Sequence, residues 1–76
     1  LGVVKDLLAL GLIAMKAGDP AAAYGYFQRS ESAATALAST ADIRSALEGL
    51  IAAGDALGMT AETAGYRKAL AGLGSP

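Results

Sequence analysis

The stretch "KAGDPAAAYGYFQRS", residues 16–30, decides how the chain folds. It sets Gly-Asp-Pro between two apolar patterns of helical period. Gly18 suits the position just past a helix C-terminus, where a left-handed backbone costs glycine nothing. Asp19 suits the N-cap of a following helix, and Pro20 its first position, where a missing N–H leaves no bond unmade. The tripeptide therefore reads as one helix stopping and another starting, the turn of a helical hairpin.

Upstream, Val3, Leu7, Leu10, Gly11 and Ala14 recur at helical spacing and predict a helix from about Val3 to Ala17. Downstream, Ala23, Tyr26, Phe27, Ser30, Ala34 and Leu37 form the expected inner face of a second helix, Pro20 to about Ala38. "STAD" (39–42) reads as a connection with Ser39 or Thr40 as cap. A third helix is expected over Ala41–Leu57, with Ile43, Leu47, Leu50, Ile51, Gly54 and Leu57 on one stripe. Gly58 closes it and Thr60 can cap a fourth helix, Ala61 to about Leu73, with Tyr66, Ala69, Leu70 and Leu73 aligned. "GLGSP" (72–76) is a breaker-rich tail. No segment alternates with period two, so the expected fold is all-α: two stacked antiparallel hairpins, about 3–38 and 41–73, in a single domain over residues 1–76.

A shift of forty residues brings Leu7 onto Leu47, Leu10 onto Leu50, Gly18 onto Gly58 and Gly25-Tyr26 onto Gly65-Tyr66. Val3 falls on Ile43 and Ala21 on Ala61. Alanine matches carry little weight in so alanine-rich a chain, but the turn glycines and the Gly-Tyr pair argue for an internal duplication.

The order Leu10-Gly11, Ala14, Gly18, Ala23, Phe27, Ser30 resembles a tetratricopeptide (TPR) repeat: Leu-Gly in the first helix, a turn glycine, a small residue early in the second helix, then an aromatic and another small residue. "YRKAL" (66–70) is similar to the end of such a second helix. The second unit departs from the pattern, with Thr63 at the small position and Arg67 at the aromatic one. The spacing exceeds the usual ~34 residues and is similar to the longer repeats of bacterial regulator and signalling proteins. The resemblance implies that the first helix of each hairpin lines a concave surface. Lys5, Leu8, Leu12 and Lys16 would face it from the first unit, and Glu48, Ala52 and Asp55 from the second. The carboxylate-clamp form of the family, which needs several Lys and Asn residues there, is not matched.

Composition narrows the function. The chain has no cysteine and no histidine, so disulfides, thiolate metal sites and the usual neutral-pH base are absent. No metal site or cofactor is expected. Charged residues are only 17% against 54% hydrophobic, which excludes disorder, and a net charge of −1 with no basic face argues against nucleic acid. The longest apolar run, "LLALGLIAM" (7–15), falls short of the ~20 residues of a membrane span. A membrane role is therefore not expected, and a cytoplasmic location is. Opening on Leu1 rather than Met, the chain is expected to be a fragment or a processed product.

The first helix is unusual in carrying Leu8, Leu12, Ile13 and Met15 outside its inward stripe. A helix apolar all round is normally buried on all sides, which fits either an ordinary core helix or one whose second face meets a partner; 76 residues can hardly surround it. Two hairpins also fall below the ~3 repeats usually needed for stability. The expected partner surface is therefore Leu8, Leu12, Ile13, Met15 and Lys16, with Arg44 and Glu48 from the third helix. Arg44 and Glu48, one turn apart, can equally pair on a solvated face. The chain is expected to be a protein-interaction or assembly module, bound to a protein partner or parent chain, or homo-oligomeric if isolated. The alternative is a small ligand-binding or regulatory domain with an apolar pocket lined by Leu12, Met15, Phe27 and Leu50. A helical subunit docked on a membrane complex is a third reading. Catalysis is not expected. Tyr26 and Tyr66 occupy equivalent packing positions, Tyr24 reads as half-exposed, and Asp19, Asp42 and Glu62 read as caps or first-turn residues.

Overall fold

Three turns, each twenty residues after the last, set the architecture: Gly18, Ala38 and Gly58 all take left-handed backbones, with φ of 77°, 54° and 75°. After each, the next N–H reaches back to a helical carbonyl: Asp19 to Ala14 at 2.9 Å, Ser39 to Ala34 at 3.0 Å, Met59 to Gly54 at 2.8 Å. These bonds satisfy carbonyls that a helix end otherwise leaves open. The computed structural model describes residues 2–73, which form four helices: α1 (Val3–Lys16), α2 (Pro20–Ala36), α3 (Thr40–Ala56) and α4 (Thr60–Leu73). No strand occurs among the described residues. The end of the expected tail, residues 74–76, lies outside them.

Each helix packs antiparallel on the next, and α1 also touches α3. Tyr24 of α2 reaches Tyr66 of α4, with hydroxyls 2.9 Å apart. So α1 and α3 lie on one side and α2 and α4 on the other, in a flat array of 35 × 31 × 15 Å. The stacked all-α hairpins expected from the sequence are what the chain forms.

Local chemistry explains the starts. Asp19 caps α2, its Oδ1 accepting from the Ala22 N–H at 3.1 Å, and Pro20 opens the helix. Ser39 caps α3 differently, donating its hydroxyl to Asp42 at 3.0 Å rather than accepting from the backbone. Thr60 is the first residue of α4 rather than its cap.

The core centres on Phe27, wedged between α1 and α3. A Cβ on either Gly11 or Gly49 would lie 2.5 Å from its ring. Burying that ring contributes about 1.5–3 kcal/mol, and both glycines are what let it in. Around it pack Ala14, Ala23, Tyr24, Leu47, Leu50 and Ala53. Ser30 is also fully buried and donates to the Val4 carbonyl at 3.4 Å, tying α2 to the start of α1. Among the described residues, every buried side-chain polar atom has a partner.

Several expected faces are corrected. Val4 rather than Val3 faces inward on α1, and Leu10 faces out. On α2, Tyr24 is buried and Tyr26 only partly so, while Leu37 lies beyond the helix and is 71% exposed. Helix α2 stops at Ala36, not Ala38, because Ala38 adopts the left-handed turn. On α3 the buried set is Ala46, Leu47, Leu50, Ala53 and Gly54, and Leu57 is exposed. On α4, Ala69 is exposed and the buried residue is Thr63, against which Gly54 packs.

Candidate partner-binding groove

Leu8, Leu12 and Met15 follow one another at i, i+4 and i+7, so they share one face of α1. Ser45, Glu48, Gly49 and Ala52 do the same on α3. Because α1 and α3 lie side by side, the two rows form opposite walls of a groove of about 480 Å³, floored by Phe27. The ring reaches the floor because Gly49 has no side chain to cover it. The walls are apolar apart from Ser45 and Glu48. Leu8 and Met15 are half-buried, while Leu12 remains 59% exposed, so the groove opens to solvent. Methionine supplies an adaptable wall, since its unbranched chain repacks around differing shapes.

The expected partner residues divide between surfaces. Leu8, Leu12, Met15 and Glu48 come together in the groove. Ile13 is exposed on the outward edge of α1, facing away from it. Lys16 and Arg44 are exposed and outside the groove lining. Arg44 and Glu48 do not pair; the ion pairs among the described residues are Lys5–Asp42, at 3.0 Å, and Arg67–Asp55. Leu50, expected to line a pocket, is buried in the core instead. Ser45 and Gly49 join the groove lining from α3, beyond the residues the repeat pattern points to. The signal for Gly49 was a glycine inside a helix, which costs about 1 kcal/mol relative to alanine unless something must come close.

A second depression of about 570 Å³ lies where α1 begins and α2 ends, lined by Val3, Lys5, Ala33, Leu37 and Asp42 among others. Lys5 thus faces this end rather than the groove. Its ammonium, with the Ser39 hydroxyl, holds the Asp42 carboxyl below the usual carboxylate range. On the opposite side of the array, burial, aided by the neighbouring Tyr66 hydroxyl, pushes Tyr24 up to about 12. Tyr24 therefore stays protonated at neutral pH and serves as a link between α2 and α4. The two rings lie 6.3 Å apart, tilted by 56°. Among the described residues, no cluster of three or more acidic side chains is placed to hold a metal ion. No described helix is long and apolar enough to cross a membrane. No protein-family model, curated protein or solved structure matches the chain.

Proposed function

We propose that this domain is a non-enzymatic protein-interaction module of the long tetratricopeptide-like kind. Its α1–α3 groove holds a partner segment carrying one or two bulky apolar side chains. The observation that carries this reading is the groove itself: an apolar trough between the first helices of two stacked hairpins, with Leu12 left open to solvent. Exposed apolar surface concentrated in a concavity is the usual mark of a binding site. Glu48 on the α3 wall adds a carboxylate that favours a segment with an N–H or ammonium donor beside its apolar anchor.

A second reading, a small apolar ligand in the same trough, draws on its volume, which lies within the ~300–1,000 Å³ typical of small-molecule sites. The openness at Leu12 favours the peptide. Selection from a displayed peptide library, followed by amide-shift mapping on the isotope-labelled chain, separates the two. The expected result is enriched peptides with a shared bulky apolar residue, shifts at Leu8, Leu12 and Ala52, and loss of binding in Leu12→Glu. Peptides that map elsewhere would refute the groove. No enrichment, with stoichiometric binding of an anilinonaphthalene dye that Leu12→Glu abolishes, would favour the small ligand.

A further inference from the structure

The internal repeat says what the outer edge of α1 is built to receive. On α3, Ala46, Gly49, Leu50 and Ala53 form one stripe, and α2 lies across it with Phe27 against Gly49. Leu50 is 1% exposed and Ala53 0%. The matching stripe on α1, forty residues earlier, is Asp6, Ala9, Leu10 and Ile13. None of the described helices covers it: Leu10 is 42% exposed and Ile13 63%. At the other end of the array, α4 is the counterpart of α2, with Thr63 buried as Ala23 is. Where α2 crosses α3, Phe27 meets Gly49 and Tyr24 meets Gly54; the corresponding α4 residues, Arg67 and Ala64, are both exposed.

The two free faces differ from the covered pair in complementary ways. Where α3 is small, with Gly49 and Ala53, α1 is larger, with Ala9 and Ile13. Where α2 is large, with Tyr24, α4 is small, with Ala64. The aromatic wedge in its glycine slot is replaced by Arg67 opposite Ala9, one turn from Asp6. Size has moved from one partner to the other, and an opposite-charge pair stands near the lost wedge.

We infer that α4 of one copy packs on α1 of a second copy as α2 packs on α3 within the chain, so that the protein stacks head to tail. The contact joins two different surfaces, so it does not pair two copies about a two-fold axis; each copy keeps a free face at either end and the stack grows until its rotation closes a ring. Ile13 fills the space left by Ala64. Arg67, whose guanidinium has donors beyond those used on Asp55, reaches Asp6 of the second copy. The stack leaves the α1–α3 groove free, so this inference stands apart from the peptide-binding reading. One helix face against another is smaller than the ~800 Å² per partner of a stable complex, so the association is weak.

The test is sedimentation equilibrium of the full chain from micromolar to about 1 mM, the range in which weak contacts of this kind populate. The average mass is expected to climb steadily with concentration past that of a dimer. Ile13→Glu and Ala64→Glu, both at exposed sites and checked for retained helicity, are each expected to hold the chain monomeric. Mixed in equal amounts they are expected to form a one-to-one pair and nothing larger, because each keeps the face the other lacks. The charge exchange Asp6→Arg with Arg67→Asp is expected to assemble better than either change alone. A monomer at every concentration would overturn the inference. So would a dimer that Ala64→Glu leaves intact, which would mean that α1 pairs with α1.

Discussion

In α2, Phe27 drives its ring between Gly11 and Gly49 and is 1% exposed; at the same place in α4 stands Arg67, exposed and paired with Asp55. The backbones of the two helices do the same thing. Each follows a left-handed turn residue, and each buries a small residue early, Ala23 or Thr63. The difference is where their outward side chains go. Helix α2 has neighbours on both sides and uses a large side chain to join them. Among the described helices, α4 has a neighbour on one side only and shows small and charged groups to the other. A repeated hairpin geometry thus supplies the scaffold, and a few side chains decide which helix is core and which is edge.

The sharpest way to break that contrast is to truncate both positions. Phe27→Ala is expected to cost about 3–5 kcal/mol, the usual range for a buried aromatic. That approaches the whole stability of so small a domain, so cooperative melting by circular dichroism should be largely lost. Arg67→Ala removes an exposed ion pair and is expected to change stability by less than about 1 kcal/mol. Equal losses at the two sites would show that α4 is held as tightly as α2.

The glycines opposite these two helices face different obstacles. Gly49→Ala places a Cβ 2.5 Å from the Phe27 ring, and is expected to cost about 1–3 kcal/mol by overpacking. A rigid ring held between Gly11 and Gly49 has little room to move. Gly54→Ala meets a single methyl group, Thr63 Cγ2, also at 2.5 Å. There the companion change Thr63→Ser should recover most of the loss in chemical denaturation. If Thr63→Ser fails to do so, the crowding at Gly54 comes from backbone, and α3–α4 packs as tightly as α2–α3.

The three turns offer a smaller effect of opposite sign. Two use glycine and the middle one uses Ala38 at φ 54°. A non-glycine residue there carries a strain of about 1–2 kcal/mol, part of which glycine gives back through unfolded-chain entropy. Ala38→Gly is expected to stabilise the chain by about 0.5–1 kcal/mol, read as a raised melting temperature. Gly18→Ala should do the reverse.

The same turn shows where the sequence could be read and where it could not. Gly18, the Asp19-Pro20 pair and Gly58 announce their turns through residues whose backbone chemistry has few other uses. Ala38 announces nothing, so α2 reads two residues too long. The faces of α1 were ambiguous for another reason. With apolar residues on nearly every side, Val3 and Val4, or Leu7 and Leu10, fit inward stripes about equally well. Only the position of α2 selects between them. Tyr24 and Tyr26 lie two apart and so cannot share a face. The match of Tyr26 to Tyr66 under the repeat drew attention to the less buried of the two. The Leu8, Leu12 and Met15 wall was legible from surplus hydrophobicity. On the facing wall, Glu48 and Ala52 follow from the resemblance to the repeat, but Ser45 and Gly49 do not, being unremarkable residues until α1 is placed beside them.

The two ends of α3 are each tied to a neighbour by one ion pair. Lys5 of α1 reaches Asp42 near its start, and Arg67 of α4 reaches Asp55 near its end. Asp42 is the better embedded, for it also accepts from Ser39 at 3.0 Å. The Lys5 ammonium and the Ser39 hydroxyl both favour its charged form, and its pKa is lowered. A carboxyl more acidic in the folded chain than in the unfolded one stabilises the fold above its unfolded pKa. That contribution fades as the pH falls through the folded value. Acidification should therefore loosen the α1–α3 end of the array, with the Ser39 and Asp42 amide signals moving together in an NMR titration. Lys5→Met should return the Asp42 midpoint toward the ordinary carboxylate range and make the effect insensitive to salt. An unchanged midpoint in that variant would mean that Ser39 and the first turn of α3, rather than the reach across from α1, hold the charge on Asp42.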